Sequence, residues 1–377
     1  MEKVEEILSL ISSESLKGLA SIYGVNKHNT KITGELILEG LMRLILSGKK
    51  TSLRMLEAMI NQTNMLQNKS VTHSGISKRL KVINYRYFEG IYKDLIGHYS
   101  KIIDRKAVKD LYRFDSTIIN LSGYMIKDGI KVGGKSKDSQ VKVSIGLKNS
   151  LPMSIRFCDK QEDSSEDAAL VKAINEAKVE KEDVLLFDRG ISKTSTFVDF
   201  EERDYKFVTR VNTTRKYKII KSNELPNEQT EGSLILEDAI VNIYAKPKRI
   251  PFPTKFRLIK LLNKDGNEIW FLSNLFDIPA LELTELYRRR WDIEVFFKFV
   301  KQNLGYKHFL NHTMNGMKVY IYTILITSII FLMYKEKNKL QGFKVALFKF
   351  SMSVDKLFIK HLIIISGGDF DAVKHLF

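Results

Sequence analysis

The run VLLFDRG, Val184 to Gly190, decides the fold. Four apolar residues end abruptly in Asp-Arg-Gly, the pattern of a short strand buried in a parallel sheet. A helix is expected before it, over about Ser165 to Ala177, and another after it, over about Thr194 to Arg203. The strand YKFVTRVN closes that series. Further upstream lie three strand runs: LYRFDSTIINL (Leu111 to Leu121), VKVSIGLK (Val141 to Lys148) and MSIRFC (Met153 to Cys158). A Gly- and Lys-rich loop, KDGIKVGGKSKDSQ, separates the first two. Three consecutive strands can form an antiparallel meander, and each later helix can serve as a crossover to a parallel strand. The chain is therefore read as α/β.

Beyond YKFVTRVN, from about Lys216 to Asp277, the sequence turns strand-like again. TEGSLILEDAIVNIYAKP and PTKFRLIKLLNKDGNEIWFLSNL read as paired hairpins, with KDGNE as a turn. YRRRWDIEVFFKFVKQNL, Tyr287 to Leu304, then reads as one amphipathic helix. At about 100° per residue, Arg290, Glu294, Lys298 and Lys301 all fall within about 60° of Tyr287. Leu286, Ile293, Phe296, Val300 and Leu304 form the apolar face. One carboxylate thus stands on a stripe of cations and a phenol, which suits a site handling phosphate and a divalent metal together. The alternative is a solvated face with Glu294 paired to Lys298 at i,i+4.

The 377 residues carry 61 Lys and Arg against 44 Asp and Glu, a net charge of +17. Such an excess favours polyanionic partners, nucleic acid or an anionic surface. A single cysteine, Cys158, excludes disulfides and cysteine-rich zinc sites and reads as a small core residue. MEKVEEILSL is too acidic for a signal peptide. VYIYTILITSIIFLMY, Val319 to Tyr334, is almost wholly apolar but falls short of the ~20 residues of a membrane span, so a core helix is expected.

Residues 1–105 read as helical. Within them SVTHSGISKRLKVINYRYFEGIYKDLIGHYSKII reads as two helices joined near Asn84, with Ser74 as N-cap. Lys78, Arg79, Lys81 and Arg86 interleave with Tyr85 and Tyr87, a pattern shared by helix-turn-helix DNA readers and by solvated basic helices.

Three acids occupy favoured positions: Asp115 inside the first strand, Asp188 at the end of VLLFD, and Glu294 on the amphipathic helix. Strand ends are where α/β sheets place their ligands, although an Asp there also serves as a turn former. Carboxylate oxygens suit Mg²⁺ or Mn²⁺, and two such ions can share one carboxylate. Tyr287, Arg290, Lys298 and Lys301 can bind phosphate oxygens. KVGGK lacks the spacing and context of a nucleotide cradle. His308 and His312 lack a carboxylate pattern for zinc. Trp291 suits either stacking on a base or core packing.

These residues resemble the DDE transposases of bacterial insertion sequences, of the IS-four type. That signature is Tyr, two residues, Arg, three residues, Glu, six residues, Lys, here Tyr287, Arg290, Glu294 and Lys301. The first acid sits in Asp115-Ser116-Thr117; the second opens Asp188-Arg189-Gly190-Ile191, with Ile where the family carries Tyr. The resemblance implies a ribonuclease-H-like catalytic domain over 106–315 with a β-rich insertion at about 216–277. An all-helical, DNA-binding region (1–105) precedes it, and a helical region (316–377) follows. It implies Asp115, Asp188 and Glu294 as ligands of two Mg²⁺ or Mn²⁺ ions. The single cysteine fits a reducing, cytoplasmic setting, the core-helix reading leaves no membrane partner, and the enzyme that the resemblance implies is expected at the nucleoid. That enzyme would bind terminal inverted repeats of double-stranded DNA as a homodimer, cleave the element ends and join them to a target. The competing readings are a non-catalytic DNA binder derived from a transposase and a ribonuclease-H-like nuclease without strand transfer.

Overall fold

The computed structural model describes residues 2–28, 31–49, 51–64, 70–102, 110–121, 130–131, 139–148, 150–163, 165–225, 233–245, 250–305 and 309–373. Most of the Gly- and Lys-rich loop and His308 lie outside them. The chain divides into two compact units. One comprises Lys106–Ser122 and Ile126–Phe297; the other contains Met1–Arg105 and Lys298–Phe377. The division falls at Phe297/Lys298, so the last helices share a unit with the first ones.

Among the described residues the α/β unit is built on one ten-stranded sheet. Strand β1 (Leu111–Leu121) runs antiparallel to β3 (Ser139–Lys148), which also pairs with the short β2 (Ile130–Lys131) and with β4 (Leu151–Cys158). Helix α7 (Glu166–Glu176) then leads to β5 (Val184–Phe187), parallel to β1. Helix α8 (Thr194–Glu202) leads to β6 (Lys206–Val211), parallel to β5. The meander and two parallel additions follow the expected order. Ser165 starts α7 by accepting the Ala168 N–H, as an N-cap should. At Gly146 a Cβ would stand 2.6 Å from the Tyr112 ring and 2.7 Å from Phe114, so only glycine lets β3 cross these rings.

The later strands are β7 (Tyr217–Ser222), β8 (Ser233–Ile243), β9 (Phe256–Asn263) and β10 (Glu268–Ser273). They form hairpins, as expected. They also do something the pattern does not reveal: β10 pairs antiparallel with β6, so the block extends the same sheet in the order β6-β10-β9-β8-β7. Helices α9 (Ala280–Arg288) and α10 (Trp291–Asn303) follow.

Strand alternation sorts the core into two layers. Tyr112, Phe114, Leu185, Phe187 and Phe207 pack with Leu170 and Ile174 of α7 and Phe197 and Phe200 of α8. The rings are in direct contact, Phe197 and Phe207 lying 5.5 Å apart. Leu111, Val184, Leu186 and Val208 point the other way and are covered by Leu283 and Tyr287 of α9. Leu111 and Arg113 of β1 therefore face the α9 side, and alternation carries Asp115 to the same face. Cys158 is buried, as expected.

The helical unit contains α1 (Glu2–Leu8), α2 (Ser13–Ile22), α3 (Gly34–Leu46), α4 (Leu53–Asn64), α5 (His73–Val82) and α6 (Tyr85–Ile102). It also contains α11 (Met314–Lys337), α12 (Phe343–Ile365) and α13 (Phe370–Val373). Helix α11 is its centre, contacted by α1, α3, α5, α6 and α12. The apolar run at its heart reads too short to span a bilayer, but the helix has 24 residues and by length could cross one. It is nonetheless a core helix: 89% of its most apolar window is buried. Its hydroxyls need no outside partner, since Thr323, Thr327 and Ser328 donate to the carbonyls of Val319, Thr323 and Ile324.

Two expectations for the basic helices are corrected. The N-cap of α5 is Thr72, which is extended and accepts the Gly75 N–H at 3.2 Å; Ser74 is already inside the first turn. Arg79 and Tyr87 do not face solvent. Arg79 is buried, and its guanidinium donates to the carbonyls of Ile32 and Val25, while Tyr87 is fully enclosed. Lys78, Lys81 and Arg86 remain exposed.

Candidate active site

The register carries the first two acids into line. Arg113 on β1 is paired with Leu186 on β5, and Leu186 with Val208 on β6. Two residues further along each chain, on the same face, come Asp115, Asp188 and Arg210. Asp188 follows the last residue of β5, at the carboxyl end of a parallel strand. Its Oδ1 accepts the Gly190 N–H at 2.9 Å, which closes the turn out of the sheet. The Thr209 hydroxyl lies within reach of the carbonyls of Phe187 and Asp188 and steadies that strand end. Asp115 Oδ1 accepts the Ser116 N–H at 2.7 Å.

The helix expected from Tyr287 to Leu304 is two helices. Helix α9 ends at Arg288 and α10 begins at Trp291. Between them Arg290 N bonds to Tyr287 O, Asp292 N to Arg289 O and Ile293 N to Arg290 O, a turn tightened to i,i+3 bonding. Tyr287 therefore belongs to the preceding helix. It is buried, with its ring edge-on to Phe271 at 5.2 Å and the Arg290 guanidinium 5.6 Å from its centroid. Glu294 does find an i,i+4 partner, but that partner is Arg290, 2.5 Å away. Ile293, Phe296, Val300 and Leu304 are buried, as the apolar face requires. Lys298 is exposed and Lys301 half-buried; both follow on α10, beyond Phe297.

Electrostatics ties the α/β unit's share of these residues together. Asp115 is pushed up to about 6, chiefly by burial and further by the charges of Asp188 and Glu294. The Ser116 N–H and the Arg290 guanidinium offset part of this. Burial raises Tyr287, while Arg290 and Arg210 pull it back and Asp188 adds to the rise. Burial works to lower Arg290, but Tyr287, Glu294 and Asp115 outweigh it, and it is held firmly charged. The charges of Asp188, Glu294 and Arg290 thus reach Asp115, and those of Asp188, Arg290 and Arg210 reach Tyr287. Arg210 was not singled out from sequence. Its signal was there, since it continues the alternation of Val208 on β6 towards the Asp188 end. Trp291 is 62% exposed, which removes the core-packing reading.

A tighter set of acids lies elsewhere. Asp110, Glu180 and Asp183 have oxygens within 4.8 Å of one another. Asp110 and Asp183 precede β1 and β5, at the amino ends of the parallel strands. Lys148 already occupies their centre, 2.8 Å from Asp183 and 3.1 Å from Glu180. This is an ion-pair network.

Asp115 lies on the strand face that α9 covers, Asp188 follows the end of β5, and Glu294 stands beside Arg290 at the start of α10. The chain belongs to the Transposase DDE domain family, whose profile matches residues 107–330. It is 24% identical over 248 residues to "Putative transposase y4zB" of Sinorhizobium fredii, covering 64% of this chain and 67% of that one. It is 24% identical over 297 residues to "Putative transposase for insertion sequence element IS4SA" of Synechocystis, covering 76% and 78%. A third relative, "Probable transposase for insertion sequence element IS5377" of Geobacillus stearothermophilus, is 23% identical over 168 residues, 45% and 44% of the two chains. The protein is an insertion-sequence transposase of the DDE class.

Proposed function

We propose that Asp115, Asp188 and Glu294 are the metal-binding acids of a ribonuclease-H-like active site, with Tyr287, Arg290, Lys298 and Lys301 as its phosphate grip. The observation that carries this is that Asp115 and Asp188 each lie two residues beyond the paired Arg113 and Leu186 of parallel strands, close enough to Arg290 and Glu294 for all three charges to act on Asp115. A meander followed by two parallel strands, joined through helices, supports the ribonuclease-H-like reading.

The donor set fits a hard divalent cation, being all carboxylate oxygen. Asp115 carries the repulsion of two neighbouring carboxylates, which such a cation relieves. Two Mg²⁺ or Mn²⁺ ions held there would activate the attacking water or 3′-hydroxyl and stabilise the departing oxygen. The chain's own residues orient the DNA. Arg290 offers a planar fork to a phosphate, and Lys298 and Lys301 add point charges along α10.

In this reading the protein is of the IS-four type and works in the cytoplasm at the nucleoid. It binds the inverted repeats at its element's ends through residues 1–105 and assembles there as a homodimer. The domain over 106–315 then cuts those ends and joins them to a target, with 316–377 as a helical C-terminal region. The test is Asp188→Asn in the full chain. It should bind a plasmid carrying the flanking inverted repeats as the parent does and produce no Mg²⁺-dependent nicks. Undiminished nicking would overturn the assignment.

A further inference from the structure

Arg113 stands two residues before Asp115 on β1, on the same face, and is only 2% exposed. A guanidinium so enclosed requires partners for its donors. It finds three. Nε donates to the carbonyl of Arg289 at 2.7 Å, and Nη1 to the carbonyl of Leu111 at 3.2 Å. Nη2 lies 3.0 Å from a carboxylate oxygen of Asp292. Leu111 is local, but Arg289 and Asp292 bracket the turn between α9 and α10. Arg290 and Trp291 lie between them, and Glu294 follows two residues on.

We propose that Arg113 is a positioning residue: by tying the Arg289 carbonyl and the Asp292 carboxylate to β1, it fixes where Arg290 and Glu294 stand relative to Asp115. The proposal rests on the function argued above and adds a residue to it. The turn needs such a tie, because the backbone bonds from Arg290, Asp292 and Ile293 are i,i+3 and three consecutive arginines, Arg288 to Arg290, lead into it. Arg113 reaches a carbonyl and a carboxylate at once through a rigid fork, which a lysine cannot reproduce. Because it springs from the strand carrying Asp115, any slack in this tie changes the distance between the acids. Misplacement by about 1 Å costs on the order of a hundredfold in rate. Burial lowers Arg113, Asp292 opposes this, and Arg289 adds repulsion, so Asp292 is the partner that makes the buried charge tolerable.

The alternative is a staple that serves stability alone, and the experiment separates the two. Asp292 is 48% exposed, so Asp292→Ala removes one end of the tie without opening the core. Full-length Asp292→Ala, Asp292→Asn and Arg113→Lys are compared with the parent at a temperature where circular dichroism shows all folded. The first readout is hydrogen exchange across residues 286–297. The second is nicking, and affinity by anisotropy, on DNA carrying the flanking inverted repeats at saturating Mn²⁺.

For Asp292→Ala, exchange should quicken about tenfold at the turn, and nicking should fall at least about tenfold at nearly unchanged DNA affinity. Asp292→Asn, which keeps an acceptor oxygen, should recover most of the rate; Arg113→Lys should not. Unchanged exchange, parental nicking by Asp292→Ala, or a loss that merely tracks the folded fraction each overturns the proposal. If the parent itself fails to nick, the function argued above falls instead, and the exchange measurement still reports whether the tie holds the turn.

Discussion

Arg290 and Glu294 face each other one turn apart at the start of α10, with Nη2 of one 2.5 Å from Oε1 of the other. The side chain of Glu294 is 34% exposed, so the pair contributes at most about 1 kcal/mol to stability. Its importance is chemical. Glu294→Gln keeps size and an acceptor oxygen but removes the charge a metal requires. Its melting temperature should stay within about 4 °C of the parent, because a change of about 1 kcal/mol moves a domain of this size no further. Nicking should vanish. A variant that melted far lower would show that Glu294 is structural.

Asp115 shows the converse, a group whose charge burdens the fold. Its folded value of about 6 lies above the ordinary 3.8, so its contribution is most favourable below pH 4 and is lost as pH rises through 6. Asp115→Asn should therefore match the parent near pH 4 and exceed it at pH 7 by on the order of 1–3 kcal/mol, since each pH unit between those two values is worth about 1.36 kcal/mol. Urea unfolding in EDTA across that range measures it. Parallel curves for the two proteins would contradict the electrostatic reading of the site.

The network at the other end of the parallel strands should behave as structure. Lys148 is 11% exposed and joins Asp110, Glu180 and Asp183. Lys148→Met leaves buried Asp183 without its counter-charge and should cost on the order of 3–5 kcal/mol, the usual penalty for removing one partner of a buried pair. Nicking per folded molecule should not change. A metal-dependent rise in the stability of Lys148→Met that Asp183→Asn removes would show a latent cation site instead.

Much of this was legible because strand chemistry is local. VLLF and LYRFDSTIINL carry their own periodicity, which places Asp115 within the first strand and Asp188 at the end of VLLF; that the two share a face depends on the register between the strands. The break between α9 and α10 was not legible. Three arginines and a tryptophan have no helix-breaking chemistry, and the bonds the turn receives come from Arg113, remote in sequence. For the same reason Arg79 read as a surface cation: its acceptors, the carbonyls of Val25 and Ile32, are remote in sequence. The union of the insertion with the main sheet depends on the pairing of β10 with β6, and neither strand announces its partner.

The basic helices give the last prediction, because burial divides their cations into two kinds. Arg79 is enclosed and bonded to two backbone carbonyls, so Arg79→Ala leaves buried acceptors unmatched and should lower stability by on the order of 2–4 kcal/mol. Lys78, Lys81 and Arg86 are exposed, and their removal should leave the melting temperature within a few degrees. Each that touches a phosphate releases about 0.9 of a counterion on binding B-DNA. Lys78→Ala, Lys81→Ala and Arg86→Ala together should reduce the slope of log affinity against log salt by up to about 3. Anisotropy titrations on the flanking repeats between 50 and 200 mM salt, roughly the range over which such contacts lose affinity, measure that slope. A triple variant with the parental slope would remove α5 and α6 from the DNA-binding surface and move the search to the exposed lysines of α12.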